Sequence, residues 1–180
     1  MLMRLLLLAA VIGASGCASL VKPDPASQAG KAGLPSALEG KRAALEAANQ
    51  SSGISVLTGP NGELQINLPS DFSFDTDAAS IKPGMRPLLD HLAADLAGPT
   101  MSSLLIQVIG FTDSEGIESA NVALSLARAN SVRKYLEGKG INAARLSAEG
   151  RGAEAPLAGN DKRYGRALNR RVEIYLREPG

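Results

Sequence analysis

The chain has 180 residues and a formal net charge of +1; 44% of its residues are hydrophobic but only 3% aromatic, with no tryptophan. That length holds one ordinary domain and a remainder. So few rings and so even a charge speak against nucleic acid or an anionic membrane surface as partner, and they leave the core to aliphatic side chains and alanine.

The opening "MLMRLLLLAAVIGASG", residues 1–16, has a charge at Arg4, an apolar run from Leu5 to Ile12 and small residues before Cys17, the only cysteine. The run is too short to span a bilayer and fits a secretory signal peptide. "ASGC" resembles the lipobox of bacterial lipoproteins, although Ala14 stands where leucine is usual. The resemblance implies that Cys17 becomes the lipidated first residue, and Ala18 after it implies sorting to the outer membrane. The alternative is ordinary secretion, with Cys17 left free or cleaved off. Residues 17–52 read as the lipidated cysteine and a flexible tether, since "VKPDPASQAGKAGLP" has too little apolar surface to bury. Ser36 and Glu39 have capping-box spacing and predict a short helix there, with a mostly alanine face.

Residues 53–180 read as one α/β domain. "ISVLTGPNGELQINLP" predicts a hairpin turning at Pro60-Asn61-Gly62, and "FSFDTDAAS" a strand end running into a loop. Pro83 opens a helix carrying Met85, Leu88, Leu89, Leu92 and Leu96 on one face, ended by Gly98-Pro99. "SLLIQVIG" (103–110) is apolar on both faces and predicts a covered strand. Residues 121–136 predict a helix stopped by Gly138 and Gly140; "ARLSAEG" and "NRRVEIYL" predict the last two strands. Strands alternating with helices give an α/β (α+β) two-layer sandwich, helices packed on one face of a mixed β-sheet.

The catalytic inventory is empty: no enzyme, cofactor or metal is expected. His91 sits beside Asp90 on a helix flank and reads as a solvated surface residue. The lone cysteine leaves no His/Cys ligand set, "GRG" at 150–152 is too short a motif for a phosphate loop, and the carboxylates of "DFSFDTD" lack EF-hand spacing. What stands out is polar. Wound at 100° per residue, the helix from Asn121 places Arg128 inside its apolar stripe, beside Asn121 and Ser125. Asp113 lies just past the covered strand, where α/β folds gather ligand contacts. Either Asp113 and Arg128 form an internal salt bridge at the sheet edge, or they hold a zwitterionic ligand, Arg128 gripping its carboxylate and Asp113 its ammonium.

"GFTDSEG", "NVALSLARANSVRKYLEGKGI", "RLSAEGRGAEAP" and "GRALNRRVEIYL", in that order, resemble the C-terminal peptidoglycan-binding domain of the OmpA family, from about Leu64 to Leu176. The resemblance implies that Asp113 and Arg128, fifteen residues apart, hold the diaminopimelate of a peptidoglycan stem peptide. It implies that Thr112, beside Asp113 in the G-x-T-D turn, also binds the stem, that Asn121 orders the loop or touches the stem, and that Asp77 and Ala78 line the pocket partly by backbone. Arg170 and Arg171 match a closing N-R-R, for which a structural role in tying down the last strand stands beside ligand contact. Phe111 replaces the family's frequent His or Tyr, and nothing before Gly53 supplies the strands of a transmembrane barrel. The function implied is that of an outer-membrane lipoprotein of the peptidoglycan-associated type, on the periplasmic face, tethering membrane to wall. Two alternatives stand: a periplasmic signalling adaptor acting through the N-terminal segment, or a subunit of an envelope machine of the secretion or Tol type.

Overall fold

The computed structural model describes residues 36–49, 55–59, 61–99 and 101–179. Residues 1–35, with the expected signal peptide and Cys17, lie outside the described residues. Helix α1 (Ser36–Asn49) leads to strands β1 (Ser55–Thr58) and β2 (Leu64–Pro69), the one-turn α2 (Ser70–Ser73) and helix α3 (Arg86–Ala97). Strand β3 (Leu105–Phe111), helix α4 (Glu118–Gly138), strand β4 (Leu146–Gly150), the short α5 (Arg163–Asn169) and strand β5 (Arg171–Arg177) complete the order. The sheet runs β1-β2-β5-β3-β4, antiparallel throughout except for β3 beside β4.

The mixed sheet and its helical layer are as expected, and the register explains where the helices sit. Leu64, Leu176, Ile106 and Leu146 form one row across the sheet, and Ile66, Ile174, Val108 and Ala148 the next. The third row runs Leu68, Val172, Gly110, Gly150. Apolar bulk gives way to glycine toward the C-terminal ends of β3 and β4. Helix α4 uses that space: a Cβ on Gly110 would run into the Ser125 backbone carbonyl, and one on Gly150 into Leu126. The apolar face of α3 (Leu89, Leu92, Leu96) joins Val132 and Leu136 of α4 in the same core.

Three points differ from expectation. The helix expected within the tether forms as α1, but it sends Leu38 and Leu45 into the core. Two leucines a near-integral number of turns apart suffice for that, however much alanine lies between. The strand end expected to begin at Phe72 is helical through Ser73, because Pro69 ends β2 and the Phe74 N–H then closes a turn onto the Ser70 carbonyl. Helix α5 was not foreseen; Arg163–Asn169 is short and apolar only in part. Strand β3 is covered on both faces toward its C-terminal end, as expected: Ile106 and Val108 are buried on one face, Ile109 and Phe111 on the other, and Gln107 is the one polar side chain. Away from the helices the sheet carries a polar ladder in which Gln107 donates to Glu149 (3.0 Å) and Tyr175 to Glu173 (2.7 Å). Arg171 pairs there with Glu173 at 2.7 Å, both nearly fully buried, and its guanidinium lies 3.9 Å over the Phe111 ring.

Candidate functional site

The three polar residues in the stripe of α4 each have a separate task. Ser125 accepts a hydrogen bond from the Gly152 N–H (3.0 Å) and donates to the Val122 carbonyl (2.8 Å), joining helix to loop where the glycines bring them close. Asn121 donates from Nδ2 to the Glu115 carbonyl (2.9 Å) and the Asp113 carbonyl (3.4 Å), ordering the turn after β3. Arg128, only 4% exposed, donates from Nε to the Ala78 carbonyl (2.9 Å), reaches toward the Asp75 carbonyl (3.5 Å) and lies 5.5 Å from the centre of the Phe74 ring.

The Asp113–Arg128 salt bridge weighed from the sequence is not formed. Asp113 is paired instead with Arg170, Nη1 to Oδ2 at 2.7 Å, while its Oδ1 accepts from the Glu115 N–H. Arg170 also grips Asp71 with Nε (2.9 Å) and Nη2 (2.6 Å), so one guanidinium ties α2 to the turn after β3. These contacts hold the Asp71 carboxyl below its ordinary range and push the Arg170 pKa up. The adjacent arginines of the N-R-R motif therefore part: strand alternation turns Arg170 to the cleft and Arg171 to the polar sheet face.

Around these side chains lies an open cleft of about 520 Å³, lined by Asp71, Asp77, Thr112, Asp113, Asn121, Arg128, Arg163 and Arg170, among others. Its charges are mostly paired: Asp71 and Asp113 with Arg170, Asp75 with Lys82 (3.5 Å), Glu115 with Arg166 (3.0 Å). Arg128 takes part in no ion pair among the described residues, and its burial lowers its pKa by desolvation. An arginine stays charged at any pH of interest, so the cleft holds a buried cation without a bonded counter-ion. The Thr112 hydroxyl on the same wall is buried without a hydrogen-bond partner among the described residues. An entering carboxylate would meet Arg128, and an ammonium would meet Asp113, whose oxygens retain unused acceptor positions.

All the described residues expected at the site thus come to one place, with their parts revised. Ala78 serves through a carbonyl that anchors Arg128, and Asp77 holds the turn's one left-handed residue, φ 52°. Asp71 and Arg163 were missed. Asp71 sat in plain view in "DFSFDTD", but its pairing with a residue 99 positions away leaves no local spacing to read.

A sandwich whose sheet ends in a charged cleft, beside a buried arginine on the crossover helix, defines a small-ligand or peptide-binding module. The OmpA family model matches residues 73–170, and the chain belongs to that family. Over 125 residues it is 37% identical to the probable lipoprotein YiaD of Escherichia coli K12, covering 69% of this chain and 56% of that protein. The cell wall anchor of the type VI secretion system from Pseudomonas aeruginosa superposes with a TM-score of 0.67 at 29% identity, over 77% of this chain and 97% of the other. The peptidoglycan-associated lipoprotein of Burkholderia pseudomallei gives 0.54 at 30% identity, over 58% and 87%. The chain spans about half the length of the curated relatives it matches.

Proposed function

We propose that the cleft binds peptidoglycan noncovalently through the diaminopimelate of its stem peptide, and that the chain tethers the outer membrane to the wall through a lipid on Cys17. The observation that carries the reading is Arg128, buried and charged at the wall of an open cleft, with no ion pair among the described residues and the carboxylates of Asp77, Asp71 and Asp113 acting on it only at longer range. A diaminopimelate end has the complementary charges: its carboxylate on Arg128, its ammonium on Asp113, with Thr112 and Asn121 beside them and the Asp77–Ala78 turn as the facing wall. The similarity to a peptidoglycan-associated lipoprotein and to a cell wall anchor supports the ligand, and the similarity to YiaD supports the lipid. The role is binding without turnover. A few charge-assisted hydrogen bonds, about 1.5–3 kcal/mol each before association costs, give weak single-site affinity. Membrane anchoring over a repeating wall raises it by local concentration.

The likeness to the secretion-system wall anchor favours a second reading, in which the same binding holds an envelope machine in place. A signalling adaptor acting through the N-terminal helix is disfavoured, because α1 spends Leu38 and Leu45 on its own core. The test is sedimentation of the full-length chain with purified sacculi, compared with Asp113→Ala and Arg128→Ala. Wild type should pellet with the wall and both folded variants stay in solution. Equal behaviour of all three would overturn the reading.

A further inference from the structure

A second depression lies on the far side of the Asp75–Ala78 turn. It is a shallow, open depression of about 450 Å³ between the stretch Ala79–Ile81, the start of α3 and the face of α4, and Arg86, Ser131 and Lys134 line it. No acidic residue lines it, and neither Arg86 nor Lys134 forms an ion pair among the described residues. The nearby carboxylate of Asp90 is occupied, accepting from the Tyr135 hydroxyl at 2.7 Å and from Lys139 at 2.8 Å. The groove therefore presents two cations free of ion pairs among the described residues; the Ser131 hydroxyl already donates to the Ala127 carbonyl at 3.1 Å.

It neighbours the cleft along α4 and shares none of its lining residues. Ser131 and Tyr135 follow Arg128 on the same face of α4, so at 1.5 Å per residue the groove extends roughly 5–10 Å beyond the buried guanidinium. That is the reach of two or three extended peptide units at about 3.3 Å each. The turn that divides the two depressions is fastened to Arg128 itself through the Ala78 carbonyl.

We infer that this groove receives a second carboxylate of the same stem peptide, so that Arg86 and Lys134 select a polyanionic peptide over a single amino acid. The inference rests on the reading of the cleft given above. A stem peptide carries free carboxylates besides those of diaminopimelate, and one bound at Arg128 has a neighbour within the groove's reach. Each contact is solvent-exposed, so the pair adds specificity more than affinity.

The test uses calorimetry on the full-length chain in detergent, with two probes: free meso-diaminopimelate, and the tripeptide L-Ala–γ-D-Glu–meso-diaminopimelate. Wild type should bind the tripeptide about five- to tenfold more tightly than diaminopimelate alone, an advantage that shrinks as salt is raised. In Arg86→Ala/Lys134→Ala, diaminopimelate binding should be unchanged and the advantage lost; the single Lys134→Ala variant should lose part of it. A wild-type chain without the advantage, or a double variant that keeps it, overturns the inference while leaving the cleft reading intact. A wild-type chain that binds neither probe overturns both.

Discussion

Replacing Arg128 with methionine separates a binding arginine from a structural one. The substitution removes a charge-assisted hydrogen bond to the Ala78 carbonyl, about 1.5–3 kcal/mol, and a cation–π contact with Phe74 at 5.5 Å, about 0.5–1 kcal/mol. Ala78 is half-buried beside an open cleft, so water can replace the lost donor. Against these losses stands the desolvation of an ion 4% exposed and bonded to no carboxylate, several kcal/mol that the variant no longer bears. Methionine also fills much of the vacated volume. The expected net change lies between roughly 1 kcal/mol of destabilisation and 2 kcal/mol of stabilisation, while sedimentation with sacculi is abolished. Urea unfolding at pH 7, read at constant m-value, gives the first quantity. A loss beyond about 3 kcal/mol would refute the reasoning, since Arg128 would then be a strut fastening the Asp75–Ala78 turn.

Thr112→Val removes a buried hydroxyl that has no partner among the described residues, so thermal melting should show equal or higher stability, by up to about 1–2 kcal/mol, while calorimetry shows weaker diaminopimelate binding. Gly110→Ala drives a methyl group into the Ser125 carbonyl and must push α4 off the sheet; urea unfolding should register a loss above about 2 kcal/mol, with wall binding falling as Arg128 moves. Asp71, lowered below its ordinary pKa by Arg170, contributes stability that is present above its unfolded pKa near 3.9 and is lost as pH falls through the lower folded value. Melting curves from pH 7 down to pH 2 should therefore decline less steeply for Asp71→Asn than for wild type.

Much of the site was legible because its residues are local to two short motifs. Asp113 and Thr112 lie in the turn after β3, and Arg128 broke the apolar stripe of α4 conspicuously enough to demand a reason. The stripe itself is real: Ser125, Arg128, Ala129, Val132 and Leu136 are the residues α4 buries. What local pattern could not show is who pairs with whom. Asp113 had two cationic candidates in the family motifs, Arg128 and Arg170, and only the path of β5 beside β3 brings Arg170 to it. Helix α1 was misplaced for the same kind of reason, since two leucines among alanines pack or do not according to the surface offered to them.

Periodicity and chemistry along the chain determined the strands, the two long helices, the sandwich class and an arginine set in an apolar stripe beside an acidic turn. These depend on each residue's own preferences and its neighbours within a helical turn or a pleat. Tertiary structure alone decided that the third row of the sheet ends in glycines where α4 comes closest, that Arg170 and Arg171 serve opposite faces, and that Arg128 forms no ion pair among the described residues. The physical reason is distance in sequence: a charge is neutralised by whatever the fold carries to within about 4 Å, and in this chain that partner lies up to 99 residues away.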